Sequence, residues 1–175
     1  MKKRFVILLA AAMFVLPLAN VSAQQDSFSF LSFDIGYGMN FNMASDNIGS
    51  LQSFGINFRV ADPIIIGGVF RRTSDGTAAA AQHTSTMLRV KYDMMPMLRG
   101  VLSFGQHTIG TGASQLYTGL GFEAVPFRRQ VGGLVTEFKM VTEYLFRPNS
   151  GLPAGQQGGM ENGSLIFGLV LGIGF

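Results

Sequence analysis

The run Leu165-Ile-Phe-Gly-Leu-Val-Leu-Gly-Ile-Gly-Phe175 puts a large apolar side chain on every odd position. Side chains along a strand alternate between faces, so Phe167, Leu169, Leu171, Ile173 and Phe175 share one side, while Gly168, Gly172 and Gly174 lie opposite with Ile166 and Val170. One face seeks hydrocarbon and the other close packing. The pattern predicts a membrane strand.

The N-terminus supplies the context. Lys2, Lys3 and Arg4 precede an apolar run from Phe5 to Ala19, and Val21-Ser22-Ala23 offers small residues, which is the layout of a cleaved secretory signal. The run is about fifteen residues and contains Pro17, short of the ~20 that a spanning helix needs. The domain expectation is therefore a signal peptide over 1–23 and one folded unit over 24–175. That signal holds three of the 13 Lys+Arg and none of the 10 Asp+Glu, so residues 24–175 carry ten of each. The basic balance of the whole chain belongs to the signal, and no nucleic-acid partner is expected. With no cysteine there is no disulfide, thiol nucleophile or thioether lipid anchor.

After Ala23 no continuous apolar run of eighteen residues occurs, which excludes a helical membrane protein. A charged content of 13% is low for a water-facing domain, where about a quarter or more of the surface is charged. Strands with one face in a bilayer account for both properties. Leu31 to Met43 shows the dyad most clearly, with odd positions apolar and Ser32, Asp34, Gly36, Gly38, Asn40 and Asn42 opposite.

Seven more strands follow. After a turn over 44–49, Phe54, Ile56, Phe58 and Val60 point outward on the second, which ends at Asp62-Pro63. The third, about 64–73, has competing phases, with Arg71 placed inward. A loop over 74–83 leads to the fourth, 84–94, with Leu88, Val90 and Tyr92 out. The fifth spans 97–106 and the sixth 115–125; a turn over 126–130 precedes the seventh, 134–146. A loop over 147–162, rich in Gly and Pro, leads to the tail. The expected fold is all-β, an eight-stranded antiparallel up-and-down transmembrane barrel, closed because unpaired backbone groups cannot remain in hydrocarbon. Three of the four connections after odd strands are the long ones.

Eight strands leave an interior that side chains fill. The inward set comprises Arg59, Arg71, Arg89, Lys91, Arg99 and Lys139 against Asp34, Asp93, Glu123, Glu137 and Glu143. Buried charges persist when paired, so the expectation is a salt-bridge network plugging the barrel, and the alternative is a charge-lined conduit. Inward glycines at 36, 38, 119, 121, 172 and 174 make room for large side chains from opposite walls. None has phosphate-loop spacing, and no cofactor is called for.

Strand alternation ending in Phe175 resembles the small eight-stranded outer-membrane proteins of the OmpX, OmpW and OmpA-barrel type. The resemblance implies an outer-membrane protein with periplasmic termini, lipid contact all round, and a tail (Phe167, Leu169, Leu171, Ile173, Phe175) read by the barrel-assembly machinery. It implies surface loops available to an extracellular ligand, here the 147–162 loop. This chain has no Trp for the interface belts, leaving Phe41, Phe70, Tyr92, Tyr144 and Phe146. Because some such barrels are lipid A deacylases, His83-Thr-Ser85 is the candidate base and nucleophile. Its position at a loop edge without a carboxylate partner favours a polar strand end, and His107 likewise begins a loop. Two histidines without clustered acids make a poor metal site. The expected role is structural or adhesion-like, not enzymatic, with transport of small or hydrophobic molecules as the alternative.

Overall fold

A period-two pattern leaves each strand one way to sit, and eight in sequence form one wall. The computed structural model describes residues 29–43, 47–74, 82–109, 114–146 and 163–175. The strands are β1 (Leu31–Asn42), β2 (Asn47–Ala61), β3 (Ile64–Ser74), β4 (Gln82–Met95), β5 (Leu98–Ile109), β6 (Ser114–Val131), β7 (Leu134–Phe146) and β8 (Ser164–Gly174). They form a closed antiparallel barrel in chain order, with β8 paired back to β1. Closure extends to the tail: Phe30 N–H donates to Phe175 O at 3.0 Å, and Phe175 N–H to Leu31 O at 2.8 Å. Phe175 also meets Phe33 edge to face, with ring centroids 6.4 Å apart. The 1–23 segment and the 147–162 loop lie outside the described residues.

Three connections, β2–β3, β4–β5 and β6–β7, are two-residue turns at one end of the barrel, called here the turn end; the four longer connections lie at the loop end. Several strands run further than the alternation suggested. β2 starts at Asn47, inside the turn expected over 44–49. β4 starts at Gln82 and β5 reaches Ile109, so His83 and His107 are strand residues and not loop residues. The turn expected over 126–130 is also displaced. β6 continues through Pro126 by means of a bulge between Ala124 and Phe127, where a missing N–H interrupts no ladder bond. The chain reverses instead at Gly132-Gly133, where Gly132 takes φ +62°, the positive angle that primed hairpin turns require.

The third strand is fully phased: Ile64, Ile66 and Phe70 are outward, whereas Ile65, Val69 and Arg71 are buried inside. Outward positions around the wall are exposed apolar side chains, such as Leu88, Leu102, Phe104, Leu120 and Leu171. Of the aromatic residues expected at the interfaces, Phe70 and Tyr92 are exposed, and Tyr144 and Phe146 are half-buried and stacked. Phe41 is a correction, since at 3% exposure it is enclosed and unavailable to lipid.

Candidate functional site

Inward positions stack in three layers, which the strand register defines. At the turn end lies a continuous ion-pair network. Asp34 accepts from Lys139 Nζ at 2.6 Å and Lys91 Nζ at 3.3 Å, with Asn57 Nδ2 adding a bond of 3.0 Å. Lys91 Nζ also reaches Glu123 Oε2 at 2.8 Å, and Glu123 Oε1 accepts from Arg99 Nη1 at 2.8 Å. Arg99 joins Glu137 and Asp93, and Asp93 in turn holds Arg59. Six strands of the wall, β1, β2, β4, β5, β6 and β7, thus bring together side chains up to 105 residues apart.

Above this network Glu143 is shared by two guanidiniums. Arg71 binds both carboxylate oxygens and Arg89 Nη2 sits 2.7 Å from Oε2. Arg71, Lys91, Lys139, Glu123 and Glu143 are each at most 1% exposed. Charges so enclosed are tolerable because each faces an opposite charge with further hydrogen bonds. All eleven charged residues assigned to the lumen from sequence point inward, and the structure adds Arg128, whose Nη2 lies 2.8 Å from Glu137 Oε1. Reading Pro126 as the start of a turn hid it. Seven cations thus meet five anions among the described lumen residues, counting Asp93. Gly172 shows why a glycine belongs in this wall: a Cβ there would sit 2.6 Å from Lys139 Nζ and 2.8 Å from Asp34 Oδ1.

Next comes an apolar cluster, Leu51, Val69, Met87, Leu145 and Ile166, with Tyr117 packed against it. At the loop end is a polar cup. His83 and Ser85 face the lumen, buried, and β5 brings His107 beside them. Ser85 Oγ is 2.8 Å from His107 Nδ1, and His107 Nε2 is 3.3 Å from His83 Nδ1. Residue parity already put His107 on the same face as Arg99 and Ser103, a signal masked by ending β5 too early. A cavity of about 100 Å³ lies here, bounded by residues that include Asn40, Asn42, Thr73, His83 and Ser164. A second cavity, about 20 Å³ at the turn end, shares no lining residue with it. No group of three or more His, Cys, Asp or Glu side chains suited to a metal comes together among the described residues.

The fold belongs to a known class. The chain is similar to Neisserial surface protein A, with a TM-score of 0.52 and 12% identity over 83% of this chain and 96% of that one. It is also similar to a de novo designed transmembrane β-barrel, with a TM-score of 0.46 and 10% identity over 85% and 99% of the two chains. No family model and no curated protein matches the sequence.

Proposed function

We propose that this chain is an integral outer-membrane barrel of a diderm bacterium, with a sealed lumen, the turn end and termini in the periplasm, and the loop end outside. The observation that carries this reading is the inversion of polarity across one wall. Leu88, Phe104 and Leu120 are each about half exposed on the outside, whereas Glu123 and Glu143 inside are at 0%. Water would reward the opposite arrangement, and acyl chains reward this one. Its role is that of an anchored scaffold for surface loops, of the OmpX, OmpW and OmpA-barrel kind, and its terminal strand is the segment read by the assembly machinery.

Two features favour a sealed barrel over a conduit. The cavities at the two ends share no wall, and the apolar cluster and the Arg71–Glu143–Arg89 triad occupy the register levels between them. The lumen-facing direction of Ser85 and His107 supports a non-enzymatic role toward lipid, because an acyl ester in the outer leaflet lies on the other side of the wall. Their hydrogen-bond chain contains no carboxylate to orient the base.

The test is refolding into liposomes followed by gel electrophoresis and planar-bilayer recording. The expected result is a band that shifts on boiling in detergent and a membrane that stays electrically silent. A protein that is monomeric and folded in buffer without detergent would overturn the membrane assignment, and steady single-channel current would overturn the seal.

A further inference from the structure

Thr73 Oγ1 and His83 Nε2 are two polar atoms without a hydrogen-bond partner, on side chains 4% and 8% exposed. They are direct partners across β3 and β4, and both line the loop-end cavity of about 100 Å³. We propose that this cavity binds a small organic carboxylate, its charged end held by Thr73 and His83 and its hydrocarbon part lying against Leu145, Ile166 and Tyr117.

The sign of the ligand follows from what surrounds the cup. Among the described residues no carboxylate lines it, and one residue pair below Thr73 on β3 is Arg71, part of a triad of two guanidiniums and one carboxylate with net charge +1. That field opposes a cation and favours an anion. Among the described residues no group of three or more His, Cys, Asp or Glu side chains comes together here to hold a metal. The mixed lining of hydroxyls and amides with an apolar side is what orients a small molecule with one charged end.

The histidine relay gives the second argument. A neutral imidazole carries one N–H and one lone pair, so the chain Ser85, His107, His83 can run in either of two directions. Its free end is His83 Nε2. An acceptor in the cavity selects one direction: Ser85 O–H donates to His107 Nδ1, His107 Nε2–H donates to His83 Nδ1, and His83 Nε2–H donates to the ligand. Thr73 O–H supplies a second donor to the carboxylate, the geometry of a charge-assisted pair of hydrogen bonds.

The experiment uses the full refolded chain in detergent micelles with ¹⁵N-labelled histidine. Imidazole nitrogen shifts are followed while benzoate or propionate is added, with benzamide and propionamide as uncharged controls and Zn²⁺ as a cation control. The expected result is saturable carboxylate binding that fixes His83 as the Nε2–H tautomer, with the amides about tenfold weaker. His83→Ala and Thr73→Val should each weaken binding by about tenfold while the heat-shifted gel band shows an intact barrel. The isosteric Thr73→Val keeps the test decisive if His83→Ala fails to fold. Equal binding of amide and carboxylate, unchanged binding in Thr73→Val, a response to Zn²⁺ alone, or a cup that holds water only and gives no saturable shift would each overturn the proposal. The gel reports the barrel independently, so loss of the site and loss of the membrane reading are distinguishable.

Discussion

Replacing Glu143 by Gln is the most demanding test of how the lumen is held. Glu143 has no exposed surface and is the carboxylate partner of both Arg71 and Arg89. Arg71 otherwise reaches only Met87 Sδ at 3.8 Å, and Arg89 only Ser103 Oγ at 3.4 Å, among the bonds that fix these two groups. The amide keeps the shape but removes the charge, leaving two enclosed guanidiniums facing each other. Breaking a buried pair by removing one partner costs about 3–5 kcal/mol. With a urea dependence of about 1–3 kcal/mol per molar, the unfolding midpoint should fall by roughly 1–5 M. Circular dichroism of the refolded barrel at increasing urea measures this without tryptophan. Glu137→Gln should cost less, because two of its three partners, Arg99 and Lys139, retain Glu123, Asp93 and Asp34, and the third, Arg128, is less enclosed at 12% exposure. The triple change Arg71→Met, Arg89→Met, Glu143→Leu should recover most of the loss, since apolar groups of similar volume remove the desolvation penalty altogether. A Glu143→Gln midpoint within about 0.3 M of the parent, equivalent to under about 1 kcal/mol, would refute the claim that this carboxylate neutralises buried charge.

Other outcomes follow from the two faces of the wall. Leu88→Arg, at mid-strand on the outside, should cost about 2–4 kcal/mol in a bilayer, against roughly 0.5 kcal/mol for a water-exposed surface site; urea titration in liposomes reads the difference. Gly172→Ala should destabilise by about 1–3 kcal/mol by pushing into Lys139 and Asp34. Gly68→Ala, where an added Cβ meets nothing within 4 Å, should be neutral or gain about 0.5–1 kcal/mol, and paired melting curves of the two variants test the contrast. Truncating Phe175 removes the backbone bonds to Phe30 and Leu31 and the ring contact to Phe33, so the refolded fraction on the boiled-versus-unboiled gel should drop.

Alternation made the wall legible because a strand has only two faces, and one misplaced residue would reverse them all. Eight strands, their order and the direction of Arg71 in the ambiguous third strand could be read this way. Strand ends could not. Polar residues such as Gln82, His83, His107 and Thr108 carry no hydrophobic signal, so β4 and β5 looked shorter than they are. Pro126 misled for a related reason: proline marks turns in general, but a bulge can absorb it, and the glycine pair six residues later supplies the true reversal. These boundary effects decided the site. Arg128 and His107 belong to the lumen only once β6 and β5 are extended, and the link from Ser85 to His107 crosses 22 residues, a distance that pairing and not spacing specifies.

The three lumen layers show why one parity rule yields different chemistry along the barrel. Around Glu123 six of the eight strands supply charges of both signs, so each ion finds a partner. Glycines opposite long side chains, as at Gly172 against Lys139, let those chains cross the narrow interior. Leu51, Val69, Met87, Leu145 and Ile166 then place a cluster of apolar side chains beside Arg71, whose Nη1 lies 3.8 Å from Met87 Sδ. An ion at this level would meet apolar side chains and a guanidinium already paired with Glu143, and would shed water without full replacement. Beyond it, hydroxyls, amides and imidazoles replace charges, and two of their polar atoms are left without partners. The ion pairs therefore stabilise the closed end, the apolar layer isolates it, and the unsatisfied cup is the part of the interior whose chemistry is directed toward something from outside.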